Sequence, residues 1–377
     1  MKWRREGETS MFRIDYNHTA AQEYADDMLD KVDDIIKDVL QPGFCIKKKI
    51  KNQQYDIVVE PQGLTKDFLD DYRKNTGLRN LLQGDFNYLR TIVERVRLDS
   101  PENFVKLGKR KYDRCYAGRP QFEDFHTIMS YIFVENGYEK SKFLDKESVV
   151  DSVGLKVCPY CGQSYIGSVR YPRSNGKIHV AKAQIDHFFP KGQYPFLALS
   201  YANFVPSCAT YNQTHKHIED VMDNHGRMRM MSPYSFDESK FRFGFGIKQA
   251  DWIDERNIEV KTLFDVKSAD DLALMNGYKQ ILGIDKLYEF HNDIVLDVIY
   301  RKLIDLTAQY TYYHKGISIE KSFLDRYITA IYGYEPDPRN DRNRIMSKFL
   351  RDIVRQVDEV AKMARLNVSV QKCSKAF

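Results

Sequence analysis

Asp186 and His187, side by side in the 377-residue sequence, put an acid next to a base. Hydrolysis of a phosphodiester needs a group that takes a proton from water, and neutral imidazole does so near pH 7. It also needs positive charge against the negative charge that builds on phosphorus and on the leaving oxygen. A hard divalent cation on oxygen ligands supplies it. One His, one carboxylate and a second oxygen ligand from elsewhere in the chain meet that need. Neighbouring side chains on a strand point to opposite faces, so the pair suits a strand end, where Pro190 and Gly192 begin a turn.

Two further signals flank the pair. Upstream lies Cys158-Pro-Tyr-Cys161-Gly, a spacing used for metal knuckles and for redox pairs. Downstream runs Asn203-Phe-Val-Pro206-Ser-Cys208-Ala-Thr-Tyr211-Asn212-Gln-Thr-His215-Lys216. Between Lys156 and Ile218 there are seven Lys or Arg against one acid, Asp186. Such a window attracts a polyanion. Two other basic stretches, Ile46 to Lys51 and Lys106 to Lys111, offer phosphate contacts or plain solvated faces.

Taken together these strings resemble the HNH, or His-Me finger, nucleases over roughly residues 155–220. The resemblance implies a ββα-metal module. His187 is then the general base and Asp186 the metal-binding carboxylate before it. Asn203 braces the loop that holds the base, and Asn212, on the helix, is the second ligand to Mg2+ or Mn2+. His215, Lys216 and Lys191 are implied contacts to substrate phosphate. CPYCG, IDHFFPK, YPFLALSYANFVPSC and the closing Asn-x-x-His-Lys look most like the HNH subunit of Septu-type bacterial antiphage systems, which acts beside an ATPase subunit. Relatives carry two Cys-x-x-Cys pairs around a structural Zn2+. Here Tyr211 stands where the fourth cysteine is expected, after Cys158, Cys161 and Cys208. Structural zinc is nearly always four-coordinate, so either His215 or His217 replaces the thiolate or no zinc is bound.

The elements that must position these residues fall into three regions. Residues 1–150 read as mostly helical, the expected binding region for partner or substrate. Ala21, Tyr24, Met28, Val32, Ile35 and Val39 recur at helical spacing, with Thr19 as cap and Gln41-Pro42-Gly43 as terminator. Phe122, Phe125, Met129, Ile132 and Phe133 mark another helix behind Pro120, and Tyr55 to Val59 a strand. Residues 151–232 hold the nuclease module, with short strands at Ser164–Tyr171 and Ile178–Phe188 around a Ser174-Asn175-Gly176 turn. Residues 233–377 are mainly helical after an alternating strand at Phe241–Phe245. Ile284, Leu287, Phe290, Ile294, Val298 and Ile299 predict one long helix, and Asn343 to about Arg365 another, with a loop at Glu335–Asn340.

The fold class expected is therefore α+β. Hydrophobic residues make up 42% and charged residues 29%, as in ordinary globular proteins, and the net charge of +5 says little about partners. No apolar run reaches the ~18–20 residues of a membrane-spanning helix. The basic start, Met1-Lys-Trp-Arg-Arg-Glu, is not followed by the apolar stretch of a secretory signal. A cytoplasmic chain with reduced cysteines is expected. The function expected is metal-dependent cleavage of nucleic acid, DNA ahead of RNA, with a non-catalytic nucleic-acid- or partner-binding module on the same scaffold as the alternative.

Overall fold

The computed structural model describes residues 13–374 apart from 51–52, 75, 100–124, 168, 173–177, 182, 213–215, 217–218, 224, 250–254 and 315–320. The Lys106–Lys111 cluster, Pro120, Phe122, the Ser174–Gly176 turn, His215 and His217 lie outside the described residues. The chain forms two compact units that are not contiguous in sequence. One gathers residues 15–154 and 167–235; the other gathers 1–14, 155–166 and 236–377. The architecture is α+β, helices with small two-stranded antiparallel sheets.

The first unit opens with α1 (His18–Val39). Its buried stripe is Ala21, Ala25, Met28, Val32, Ile36 and Val39, so Tyr24 and Ile35 sit at the flank of the stripe rather than in it. The N-cap is Asn17, not the expected Thr19: the Asn17 carboxamide oxygen accepts from Ala20 N at 3.1 Å, leaving Thr19 inside the first turn. Gly43 (φ +75°) turns the chain away. The basic run then becomes β1 (Cys45–Ile50), paired antiparallel with β2 (Gln53–Val58). Next come α2 (Gly63–Lys74), α3 (Gly77–Gln83) and α4 (Phe86–Asp99). Phe86, Leu89, Ile92, Val93 and Val96 form the buried face of α4.

Further along, α5 (Phe125–Met129) passes directly into a π-helical segment, Ser130–Tyr138. The wider turn is closed by Glu139 N donating to Val134 O at 2.8 Å. Asp145 caps α6 (Lys146–Val153). β3 (Val169–Pro172) and β4 (Ile178–Ala181) pair antiparallel. The strand expected over Ile178–Phe188 is thus two strands. The second, β5 (Gln184–His187), pairs instead with β6 (Phe204–Ser207), in a register that sets Asp186 opposite Val205 and His187 opposite Phe204.

The other unit is built on β7 (Phe241–Ile247) and β8 (Ile258–Phe264), packed with α7 (Ala269–Leu282), α8 (Ile284–Tyr288), α9 (Asn292–His314), α10 (Lys321–Tyr332) and α11 (Ser347–Ser374). The open edge of β7 is covered by side chains of α11. Phe243 N donates to Asp352 Oδ2 (3.0 Å), while Gln356 both accepts from Phe245 N and donates to Phe245 O, each at 2.8 Å. A sheet edge left bare is a template for pairing, and these two residues stand in for a third strand. The single helix expected from Ile284 onward is broken by a 3-10 turn at Glu289–His291. The tighter turn shifts the phase of the buried face to Val295, Val298 and Ile299 and leaves Phe290 83% exposed. The expected loop at Glu335–Asn340 ends in a 3-10 turn, Pro338–Asn343, and the last helix starts at Ser347 rather than Asn343.

Candidate active site around Asp186 and His187

β5 ends at His187, and the chain then enters a long connection, 188–203, before returning as β6. The first turn of that connection is closed by Pro190 O, which accepts from Gln193 N and Tyr194 N at 2.8 Å each. His126 Nε2 bonds Gly192 O at 2.7 Å and ties this turn to α5. Asn203 holds the connection from within. Its Oδ1 accepts from Phe189 N (2.7 Å), and its Nδ2 donates to Phe189 O (3.1 Å) and Leu197 O (3.0 Å). The side chain is fully buried, so these three bonds replace the water it gave up on folding. Phe86, Phe188, Phe189, Tyr194 and Phe196 pack edge-to-face and stacked around the connection.

His187 is 5% exposed. Its ring meets Tyr138 edge-on at 4.4 Å and Phe204 at 5.5 Å between centroids. Nε2 lies 3.0 Å from Ala198 O. A carbonyl only accepts, so the proton is on Nε2 and the Nδ1 lone pair is the acceptor. Burial pushes the imidazole down to about 3, aided by the charges of Lys191, Lys216 and Lys146 and opposed by the Ala198 bond. The ring is neutral at physiological pH. Tyr138, at the end of the π-helical segment, is pushed up to about 12 by burial and by Asp186 and Glu139, and remains a phenol. Lys146 Nζ stands 3.8 Å from the Tyr138 ring centroid and Lys191 Nζ 5.8 Å. Lys191 also pairs with Glu139. Tyr138 and Lys146 carry no spacing signal in the sequence; only the tertiary fold brings them to His187.

Asp186 is 3% exposed, and its neighbour is a cation of the chain itself. Lys216 Nζ lies 2.8 Å from Asp186 Oδ2 and donates to His187 O at 2.7 Å. Lys216 has no solvent exposure. The expectation that Lys216 contacts substrate phosphate therefore does not hold in this arrangement: a long cationic chain defaults to solvent, but the carboxylate draws this one inward. Asn212 Nδ2 donates to Gln184 Oε1 at 2.8 Å. Gln184 and Asp186 are two apart on β5 and share a face. Asn212 thus meets Gln184, and Lys216 meets Asp186, on one face of β5.

The donor set does not fit a divalent ion in this arrangement. Mg2+ requires near-octahedral oxygen at about 2.0–2.1 Å. The carboxylate meant for it is engaged by an ammonium, and the Asn212 amide is turned to Gln184.

The knuckle segment belongs to the other unit. Cys158 and Cys161 are buried, and Val157 bridges Tyr165 across a tight hairpin. Gly162 N donates to Cys158 O (2.9 Å), Gln163 N points at Cys161 Sγ (3.4 Å), and Gly162 takes φ +65°. Two buried cysteine sulfurs at this spacing, one of them facing an amide, suit a soft metal ion such as Zn2+. The segment is clasped from outside: Tyr288 OH donates to Cys161 O (2.8 Å), Tyr278 OH to Tyr160 O (3.3 Å), and Met346 N to Gly162 O (2.7 Å). Cys208 follows β6 in the first unit, and Tyr211 there is buried.

Comparison of the chain with protein-family models, with curated proteins and with solved structures gave no match. Among the described residues no helix is long and apolar enough to cross a membrane.

Proposed function

We propose that this protein is a nuclease whose hydrolytic centre is Asp186–His187, acting on nucleic acid, DNA ahead of RNA, beside an ATPase subunit in bacterial antiphage defence. The observation that carries the reading is His187 itself: a neutral ring, fixed by Ala198 O in the tautomer that leaves Nδ1 as proton acceptor. Nδ1 takes a proton from water as the oxygen attacks phosphorus; the P–O bond to the leaving oxygen breaks, that oxygen takes up a proton from a second water, and the ring later returns its proton to solvent. An approaching phosphodiester anion raises the proton affinity of the ring, and Lys146 and Lys191 place positive charge beside it. No step is assigned to a divalent ion, because Lys216 holds the Asp186 carboxylate. A structural zinc at the Cys158–Cys161 knuckle is part of the reading, supported by the paired buried sulfurs and the amide directed at Cys161.

The test is a cleavage assay on single- and double-stranded DNA, tRNA and total RNA, with the candidate ATPase present, in chelator and in Mg2+ or Mn2+. Replacing His187 with Ala is expected to lower the rate by about 10²-fold or more. Equal rates in wild type and variant would end the assignment. The burial of both Asp186 and His187 favours a second reading, a binding module without turnover. That reading expects salt-sensitive nucleic-acid binding, unchanged by His187→Ala, and no cleavage in any condition of the panel.

A further inference from the structure

A cavity of about 350 Å³ lies between β7 and α11. Its inner end is a buried ion cluster. Lys348 Nζ stands 3.1 Å from both Glu238 Oε1 and Asp352 Oδ2, and Arg351 Nη2 stands 3.2 Å from Glu238 Oε1. Arg351 also pairs with Asp341. Three carboxylates thus share two cations, all of them buried. Two atoms of the cluster have no hydrogen-bond partner, Glu238 Oε2 and Arg351 Nε. Glu238 is 9% exposed and Arg351 3%, and both line the cavity. The outer end has the opposite sign. Arg242 and Arg355 line it, are exposed, and pair with no carboxylate among the described residues. Glu359 is the one exposed acid of the lining. Leu263, the cross-strand partner of Arg242, supplies an apolar wall. A Cβ at Gly244 would stand 2.7 Å from Leu263 Cδ1 and 3.0 Å from Gln356 Oε1, so the bare glycine lets that wall close.

We propose that this cavity binds a guanine nucleotide, with the base edge against Glu238 and the phosphate between Arg242 and Arg355. The volume is in the range of small-ligand sites, about 300–1,000 Å³. An unmet carboxylate oxygen asks for donors, and the unmet guanidinium nitrogen of the same ion pair asks for an acceptor. Guanine sets two adjacent N–H donors, on N1 and N2, beside an acceptor, O6. Adenine and cytosine set an acceptor next to their amino group, and uracil flanks its one N–H with two carbonyls. Each of these would bring an acceptor against the carboxylate. Burial pushes the Glu238 carboxyl up, and donors on its open oxygen favour the charged form. At the other end, two guanidinium forks match phosphate oxygens. Arg355 is one turn beyond Arg351 on α11, about 6 Å along the axis, so the two ends of the ligand are read at different heights of one helix. Every lining residue belongs to the unit that gathers residues 236–377, and the inference does not rest on the Asp186–His187 reading.

The experiment is calorimetric titration of the full chain with GMP, AMP, CMP, UMP and guanosine in the presence of chelator. Wild type is compared with Glu238→Gln and with the double variant Arg242→Ala, Arg355→Ala. Wild type is expected to bind GMP saturably and about tenfold or more tightly than the other three nucleotides or guanosine. The double variant should bind GMP about tenfold or more weakly than wild type, at the level of guanosine. Glu238→Gln should bind GMP no better than AMP. No saturable GMP binding by wild type up to about 1 mM would overturn the proposal, as would equal affinity for all four bases or undiminished GMP binding by the double variant. Both arginines are exposed and outside the buried cluster, so the double variant tests the site without disturbing the core. If Glu238→Gln does not fold, the order of the four bases on wild type decides the role of the inner end.

Discussion

At the scale of single residues, the site depends on buried polar groups whose partners are all inside the chain. Asn203 is the clearest case. Asn203→Ala leaves Phe189 N, Phe189 O and Leu197 O without their partner, and each buried group so exposed to no water costs about 1–3 kcal/mol. A loss of roughly 3 kcal/mol or more is expected in urea unfolding. Asn203→Asp should be no better than Ala, since a carboxylate would face two carbonyl oxygens. A variant Asp protein closer to wild type than the Ala one would show the brace has been misread. Lys216 and Asp186 follow a related logic. Removing either charge alone breaks a buried ion pair, which costs about 3–5 kcal/mol, whereas removing both is far milder. A double-mutant cycle in urea should therefore give strongly non-additive losses; additive ones would mean the pair is not closed in solution. The candidates Asp186, His187 and Asn203 were legible in the sequence because residue type and spacing announce them. The burial of Lys216 was not, because its position depends on where the segment after β6 lands, and no local pattern records that.

At the scale of elements, what was legible was what is periodic. The stripe of α1 and the Phe241, Phe243, Phe245 alternation of β7 follow from side-chain geometry repeated over several residues. What escaped is each place where the period changes: the π-helical segment that delivers Tyr138 to His187, and the 3-10 turn that rotates Phe290 into solvent. The knuckle is an element of another kind, set by a left-handed Gly162 and clasped by Tyr288 and Tyr278. If it holds zinc, the purified chain should contain about one equivalent, lost in Cys158→Ser, and chelator should lower the melting temperature of wild type but not of that variant. The same measurement on Cys208→Ser tests whether that thiol is a ligand. Tyr288→Phe should keep the metal but weaken the clasp by about 1 kcal/mol. Metal content at background in wild type would remove zinc from the reading.

At the scale of the whole molecule, the candidate nuclease segment is not a self-sufficient piece. Its strands belong to the unit of residues 15–154 and 167–235, while its knuckle, 155–166, belongs with residues 236–377. The polar ties follow the same division. His187 packs on Tyr138, the Gly192 turn bonds His126, and Leu199 O accepts from Tyr24 OH at 2.7 Å, all from residues before 151. Arg97 on α4 donates to Tyr194 and to Asp223 O (2.7 Å), and Tyr194 OH donates to Asp220 (2.8 Å), closing a buried network through the segment after the site. Within the other unit, Arg351 on α11 pairs with Asp341 and Glu238, again buried. A fragment of residues 151–232 would keep β5, β6 and Asn203 but lose Tyr24, Arg97, His126 and Tyr138, and its knuckle would lose Tyr278 and Tyr288. Its exposed aromatic cluster would have nothing to pack against, and its buried polar groups would lose the partners that replace water. The expected outcome is a fragment with no cooperative thermal transition and narrow amide dispersion by NMR, whereas the full chain unfolds cooperatively. A fragment that folds and keeps the His187 ring in its neutral tautomer would show that the flanking helices are not needed to hold the site, and that their role lies in binding a partner.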